Sequence, residues 1–257
     1  MKGQDWRTWL DELELGRPQA KGPLTVIPIA GRGGVAEGAY HTLADAAARG
    51  LARVEEVPGG GRVPRVRVVN RGDLPILLID GEELQGANQN RVVSLTTLVA
   101  AMSALDVPVV CVEQGRWNAV GGHFAVGGAF MNPSGRGRKQ ADVCRSLATG
   151  GEGDADQSAV WAGVRRVLRD LGVESQTQAL SDAYTPRREE IEAFVQGFAV
   201  VPGQLGAAFM MGEQLVGVGH LGDTGTRPRE PHNNWKKATR PGWSAAASLG
   251  AGLTRSR

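Results

Sequence analysis

Cysteines, histidines and long apolar runs are all scarce in this sequence, and each shortage narrows the class of protein. Two cysteines in 257 residues, Cys111 and Cys144, cannot form the disulfide framework of a small secreted domain. We therefore predict two buried free thiols and a reducing, cytoplasmic compartment. No apolar run approaches the roughly 20 residues that span a bilayer, so no membrane partner is predicted. The first fifteen residues also lack the long apolar region of a secretory signal.

A strong charge of either sign is also missing, since the formal net charge is +2. Residues 223–257 hold seven Lys or Arg and two Asp or Glu, which leaves 22 basic and 25 acidic residues in the rest of the chain. A folded nucleic-acid-binding domain displays a basic patch, so this mildly acidic body is not predicted to bind nucleic acid. Of the four histidines, His123 has no second histidine at metal-ligand spacing, which argues against a zinc site.

Alternating apolar and polar residues mark several short strands in the first half of the chain. The predicted strands there are 24–30, 52–57, 63–70, 75–79, 92–99 and 107–112. Apolar residues at helical spacing predict helices at 5–15, 43–49, 140–148 and 156–171, and one that starts at Thr185. Strands at 204–211 and 214–220 are joined by Gly212-Glu213, a hairpin signal. These elements predict an α+β fold: a sandwich- or barrel-like sheet core from the N-terminal half, packed with helices and a terminal hairpin from the C-terminal half.

The chain is predicted to have three parts. Residues 1–21 form an amphipathic helix and a linker, residues 22–222 a single α+β domain, and residues 223–257 a basic tail that is predicted to be disordered. Trp6 and Trp9 indicate that the N-terminal helix docks onto the body or onto another subunit. The sequence therefore leaves open whether the chain forms a homo-oligomer. Within the domain, the glycine-rich residues 121–130 are predicted to be irregular, and the basic residues 135–139 to be flexible.

The densest set of polar residues lies between Leu77 and Trp117, around three of the predicted strands. Acids, amides and arginines stand close together there, on supports that are predicted to be rigid. The members are Asp80, Glu82, Glu83, Gln85, Asn88, Gln89, Asn90, Arg91, Glu113, Gln114, Arg116 and Trp117. Such acids could bind a divalent ion or ribose hydroxyls, or act as general acid and base, and the arginines could fork onto a phosphate.

Three motifs in this stretch resemble those of a known family. They are DGEEL at 80–84, GANQNRV at 86–92 and CVEQGRW at 111–117, supported by LTVIPI at 24–29, VVNRGDLPILLIDGEEL at 68–84, ALSDAY at 179–184 and VPGQLGAAF at 201–209. The family is the ARG-and-rhodanese-phosphatase-superfamily-associated protein domain, first type, and the resemblance covers about residues 22–220. The chain departs from the family pattern in its tail, which lacks the usual terminal helix, and in a glycine-rich insertion at 31–38.

The resemblance implies a link to ADP-ribosylglycohydrolases and phosphatase-like proteins of NAD and ADP-ribose metabolism. It implies binding, and hydrolytic or transferase processing, of an NAD- or ADP-ribose-derived nucleotide. We expect Glu82, Glu83 and Glu113 to be the catalytic acids, acting on a ribose or through a divalent cation. The expected ligand-binding residues are Asp80, Gln89, Asn90, Arg91, Gln114, Arg116 and Trp117. The sequence identifies neither the substrate nor a cofactor.

Two other interpretations stay open. The same acids, amides and arginines could pair with one another as a structural network in a non-catalytic interaction or scaffold protein. A concave pocket shared by these side chains would favour the enzyme, and mutual pairing without a cavity would favour the scaffold. Gly31 to Ala36 also matches a G-x-G-x-x-A dinucleotide fingerprint, although the next helix is capped at Thr42 and the following strands are predicted to be antiparallel.

Overall fold

The computed structural model describes residues 11–31, 39–58, 64–118 and 120–220. The chain divides into two compact units: residues 1–39 with 190–257, called the sheet unit, and residues 40–189, called the barrel unit. Most of the predicted N-terminal helix, the glycine fingerprint beyond Gly31 and the basic tail lie outside the described residues. The domain boundaries after residues 21 and 222 stay predictions.

In the described part of the sheet unit, five strands pair in the antiparallel sense. They are β1 (Glu14–Leu15), β2 (Gln19–Lys21), β3 (Leu24–Ala30), β13 (Gln204–Met211) and β14 (Gln214–His220). The strands β3, β13 and β14 have the predicted bounds. The helix predicted at 5–15 is wrong at Glu14 and Leu15, because these two residues form the strand β1. A Rossmann unit needs parallel neighbours, so the antiparallel partners of β3 rule out the dinucleotide fingerprint that follows it.

The barrel unit is built around a closed barrel of six strands with antiparallel neighbours. Their order is β11 (Ser103–Cys111), β6 (Arg65–Asn70), β5 (Ala52–Glu56), β12 (Val120–Phe130), β8 (Glu82–Ala87) and β9 (Arg91–Val93). Successive side chains of a strand point to opposite faces, and one set, which includes Val54, Val68, Leu84 and Val109, forms the main hydrophobic core. The predicted α+β class is confirmed, with a barrel as its core.

A three-stranded sheet and three helices complete the described part of this unit, and the sheet and the first of the helices share the main hydrophobic core with the barrel strands. The sheet contains β10 (Thr97–Val99), β7 (Ile76–Leu78) and β4 (His41–Thr42), and the helices are α1 (Leu43–Ala48), α2 (Pro133–Ala148) and α3 (Gln157–Asp170). α1 begins at its predicted cap, where Thr42 Oγ1 accepts the Asp45 N–H at 3.2 Å. Two 3₁₀ turns, Leu180–Ala183 and Thr185–Arg187, lead to α4 (Arg188–Gln196), whose residues from Glu190 onward belong to the sheet unit.

The glycine-rich segment predicted to be irregular is instead the eleven-residue strand β12. Its glycines coincide with register shifts between Val120 and Phe124 and between Val126 and Phe130. Bulges of this kind bend a strand, and closing a barrel requires such bends. The glycines that predicted irregular backbone therefore allow the bends that close the barrel.

Three further predictions are wrong. The strand predicted at 92–99 is two strands, because the Ser94 N–H bonds to Pro108 O and the chain then passes from the barrel to the second sheet. The basic residues 135–139 are helical, since α2 begins at Pro133, a residue suited to the first helical position. Both cysteines are free as predicted, but only Cys111 is buried and Cys144 is exposed. Within the described ranges, no helix is long and apolar enough to cross a membrane.

Candidate functional site

The predicted site residues follow the β8–β9 hairpin and the segment after β11. Asn88, Gln89 and Asn90 form the turn of that hairpin, and Glu113 to Trp117 continue from β11. The structure distributes their charges over three clusters. We name these by their central ion pairs: Glu113–Arg116, Asp80–Lys139 and Arg91–Glu56.

The Glu113–Arg116 cluster ties the hairpin turn to the end of β11. Arg116 Nε and Nη2 donate to the two Glu113 carboxylate oxygens at 2.9 and 2.6 Å, a bidentate pair. Glu113 Oε2 also accepts the Asn90 N–H at 2.9 Å, and Gln89 Nε2 donates to the Glu113 carbonyl at 3.0 Å. The Arg116 guanidinium and the Asn90 N–H hold the pKa of Glu113 below its usual value against the opposing effect of burial. This carboxylate is therefore ionised, and both of its oxygens accept hydrogen bonds.

The remaining Arg116 donors hold the backbone of the turn. Nη1 donates to Ala87 O at 2.7 Å and Asn118 O at 2.9 Å, and Nη2 reaches Gly86 O at 3.3 Å and Asn90 Oδ1 at 3.1 Å. Ala87 has φ of 41°, a left-handed conformation that is strained for a residue with a Cβ atom. Arg116 thus donates a hydrogen bond to the carbonyl of Ala87, the residue whose backbone is strained.

The Asp80–Lys139 cluster fixes helix α2 against the start of β8. The Lys139 ammonium is fully buried and donates to Asp80 Oδ1 and to Ser94 O, the latter at 2.8 Å. Arg136 donates from Nε and Nη2 to Asp80 Oδ2 at 3.2 and 3.1 Å. Burial lowers the pKa of Lys139, and the Asp80 carboxylate opposes that effect. One carboxylate thus balances two cations in a desolvated position.

The Arg91–Glu56 cluster lies on the core-facing side of the barrel strands. Arg91 lies two residues before the core residue Val93 and shares its face of β9. Arg91 is fully buried and donates from Nη2 to Glu56 Oε1 at 2.9 Å. Its guanidinium also lies 5.6 Å from the centre of the Phe124 ring. Glu82 shares the face of Leu84, and burial raises the pKa of the Glu82 carboxyl to about 7.

Glu83 points to the opposite face of β8, where residues 175–184, called the strap, cover it. The strap is fixed by hydrogen bonds from Gly115 N to Thr177 O at 2.7 Å and from Leu180 N to Val112 O at 2.9 Å. Burial raises the pKa of Glu83 to about 7; Gln85 and the Ser181 N–H lower it, while Glu113 and Asp182 raise it further. Glu83 Oε1 and the Tyr184 hydroxyl are both buried and without a hydrogen-bond partner among the described residues.

The structure brings some predicted site residues together and separates others. One cluster brings together Gln89, Asn90, Glu113 and Arg116. Glu83 lies near enough to this cluster that the Glu113 charge raises its pKa. Asp80 belongs to a second cluster, and Glu82 and Arg91 face the core. Gln114 is exposed and accepts from Arg165, and the Trp117 side chain is 53% exposed. Within the described ranges, no three His, Cys, Asp or Glu residues are arranged to hold a metal ion.

Sequence analysis missed four residues of these clusters, namely Glu56, Arg136, Lys139 and Tyr184. Lys139 and the buried Val143 stand four apart in α2, so helical periodicity could have placed Lys139 on the buried face. Glu56 likewise shares a strand face with the core residue Val54. The strap that carries Tyr184 has no periodic signal, and only the tertiary structure places it over Glu83.

A groove of about 510 Å³ opens elsewhere on the barrel unit, and none of the predicted site residues lines it. We call it the α1 groove. Its lining residues are Ala44, Ala47, Ala48, Gly50, Ala52, Arg53, Arg71, His123, Phe124, Ala125 and Val126.

Fold and site together define an α+β barrel protein whose polar motif residues are largely paired with one another. The model of the ARG and Rhodanese-Phosphatase-superfamily-associated Protein domain matches residues 12–229, and the chain belongs to this family. The resemblance carried by the three motifs is thereby confirmed. No curated protein and no solved structure matches the chain.

The buried Glu83 carboxyl predicts an unusual dependence of stability on pH. Its pKa is near 7 in the folded protein and 4.5 without the burial, so the folded state retains a proton that the unfolded state loses. The free energy of unfolding should therefore fall as pH rises from about 4.5 to 7. Glu83→Gln removes this penalty and should raise the free energy of unfolding at pH 8 by about 1–3 kcal/mol, with a much smaller gain at pH 5.

Urea unfolding at both pH values measures this difference. Glu152→Gln is the matched control, because Glu152 is an exposed partner of Arg65. An equal effect of Glu83→Gln at pH 5 and pH 8 would show that Glu83 is ionised throughout.

Proposed function

We propose that this chain is a non-catalytic interaction or scaffold domain in which the acid, amide and arginine motif residues form a structural network. The observation that carries the proposal is the Arg116 guanidinium, whose three nitrogens already bind the Glu113 carboxylate, the Asn90 side chain and three main-chain carbonyls. A ligand phosphate at Arg116 would have to displace these acceptors and release the turn at Ala87. The bond pattern therefore favours support of the fold over recognition of a ligand.

The other two clusters support the same interpretation. Arg91 is fully buried against Glu56, and Asp80 is shared by Lys139 and Arg136. Buried charges that are paired in this way hold elements in register, and a phosphate could reach them only by desolvating itself and breaking an ion pair.

Processing of an NAD- or ADP-ribose-derived nucleotide is the second candidate function, and one observation favours it. Glu83, with a pKa of about 7, could donate or accept a proton near neutral pH, and its Oε1 has no hydrogen-bond partner among the described residues. The Tyr184 hydroxyl shares this property. In that role Glu83 would be the general acid, and the strap would have to move to admit a substrate.

Product analysis of the purified protein separates the two candidates. NAD, ADP-ribose and an ADP-ribosylated peptide would be incubated with the full chain, with and without Mg²⁺, and products separated by chromatography. We expect no turnover above the protein-free control. We also expect Glu113→Gln to lower the free energy of unfolding by about 1–3 kcal/mol, because it leaves the partly buried Arg116 without its counter-ion.

Glu152→Gln serves again as the control and should leave stability within about 0.5 kcal/mol. Turnover by the wild type that disappears in a folded Glu83→Gln variant would overturn the structural proposal and establish the second candidate. Glu113→Gln with unchanged stability would also contradict the proposal.

A further inference from the structure

The α1 groove is a mainly apolar groove of the barrel unit with cationic side chains in its lining, and the charge of that lining differs from that of the rest of the chain. The described residues that line it include two arginines and a histidine, and none of them is Asp or Glu, whereas the chain outside the basic tail has a slight excess of acidic residues. Its volume of about 510 Å³ lies within the range of small-molecule pockets, about 300–1,000 Å³. The groove therefore has the size and the charge to take an anionic small molecule.

The cationic side chains of the groove differ in how far they are already engaged. Arg53 Nε lies 3.0 Å from Glu55 Oε2, so its charge is partly balanced. Arg71 is exposed, and among the described residues its guanidinium has neither an ion-pair nor a hydrogen-bond partner, in contrast to Arg91 and Arg116. A guanidinium with its donors unoccupied can fork onto two oxygens of a phosphate.

The α1 side of the groove is an apolar wall of small residues. Ala44, Ala47 and Ala48 of α1, with Gly50 after it, present methyl groups and bare backbone to the groove. Small side chains let a flat ring approach closely, and the apolar residues of β12 extend the surface beside His123. A lining that combines an apolar wall with cationic side chains matches a molecule that has both a ring and a phosphate.

From this arrangement we propose that the α1 groove binds a nucleoside phosphate, with the phosphate at Arg71 and Arg53 and the ring against the alanines of α1. The proposal is independent of the role assigned to the Glu113–Arg116 cluster, since the two sets share no residue. Arg71 supplies most of the attraction because its charge is unbalanced, and Arg53 adds less because it exchanges its contact with Glu55.

Calorimetric titration of the full chain with ADP tests the proposal, with adenosine and pyrophosphate as partial ligands. ADP should bind more tightly than either fragment, and its affinity should fall as salt is raised. Arg71→Glu should weaken ADP binding at least tenfold, and Arg53→Ala by a smaller factor. Ala48→Leu, which fills the apolar wall without changing charge, should weaken ADP and leave pyrophosphate unaffected.

Arg145→Ala, at an exposed arginine outside the groove, is the matched control and should bind ADP as the wild type does. Absence of ADP binding at millimolar concentration would overturn the proposal. So would affinity that is indifferent to both Arg71→Glu and Ala48→Leu, or pyrophosphate binding as tight as that of ADP. Because these variants leave the Glu113–Arg116 cluster intact, their outcome is separate from that of the product analysis.

Discussion

Replacing Asp80 by asparagine should lower the free energy of unfolding by about 3–5 kcal/mol at pH 7, although the new side chain has nearly the same shape. The change leaves the fully buried Lys139 ammonium without its counter-ion and beside Arg136. Loss of one partner of a buried ion pair has this typical cost, because the remaining charge stays desolvated. The lysine can escape by losing its proton, and from a usual pKa of 10.5 that costs about 5 kcal/mol at pH 7.

The pH dependence of the Asp80→Asn variant identifies this mechanism. If Lys139 becomes neutral in the folded variant, the unfolded state binds one proton more, so stability relative to wild type should recover as pH rises from 7 to 9. The recovery is limited to about 1.4 kcal/mol for each pH unit. Adding Lys139→Met should restore most of the loss, since an apolar side chain needs no counter-ion. Urea unfolding of the four proteins of this cycle measures both effects.

Asp142→Asn is the control for this experiment. It removes an acid from α2, the helix that carries Lys139, and the partner of that acid, Arg145, is 72% exposed. It should change the free energy of unfolding by less than about 1 kcal/mol. A similarly small effect of Asp80→Asn, or a double variant no more stable than the single one, would show that the Asp80–Lys139 cluster does not fix α2.

Arg116→Ala should destabilise the protein by about 3–5 kcal/mol, the second large effect. It leaves the Glu113 carboxylate buried and without its cation, and it removes the donors to Gly86 O and Ala87 O. The strained Ala87 then loses the contact that holds its carbonyl in place. Arg116→Lys should recover only part of the loss, because an ammonium cannot reproduce the fork that spans the carboxylate and the turn.

Arg145→Ala provides a matched comparison for Arg116→Ala. Both arginines pair with an acid three residues earlier, but Arg116 is 15% exposed and Arg145 72% exposed. The exposed pair should contribute less than about 1 kcal/mol. If the two alanine variants unfold at the same urea concentration, the Glu113–Arg116 cluster is not structural, and the interpretation of the motif as a ligand site regains its support.

The sequence was sufficient for most of the elements and for the contents of one cluster. Period-two alternation predicted β5 and β6, and the apolar run at 24–30 predicted β3. The hairpin signal at Gly212-Glu213 joined the predicted strands β13 and β14, and a capping pair at Thr42 predicted the start of α1. Glycines misled both at β12 and at the start of α2, where Gly135 and Gly137 stand, because glycine favours irregular backbone. In the folded chain, the glycines of β12 lie at bulges that bend the strand. The basic segment lies within α2, where Lys139 is on the buried face.

The residue types and spacing of the motif determined which side chains lie near one another along the β8–β9 hairpin, because a hairpin is a local structure. They could not determine which face each side chain takes relative to the barrel core, nor what covers it. Glu82 and Glu83 are neighbours in sequence, yet one shares the face of the core residue Leu84 and the other lies under the strap. That division, the pairing of Asp80 with Lys139 and the position of the α1 groove come from contacts between residues far apart in sequence. Only the tertiary structure decided them, because burial and long-range pairing, unlike strand alternation, leave no periodic pattern in the chain.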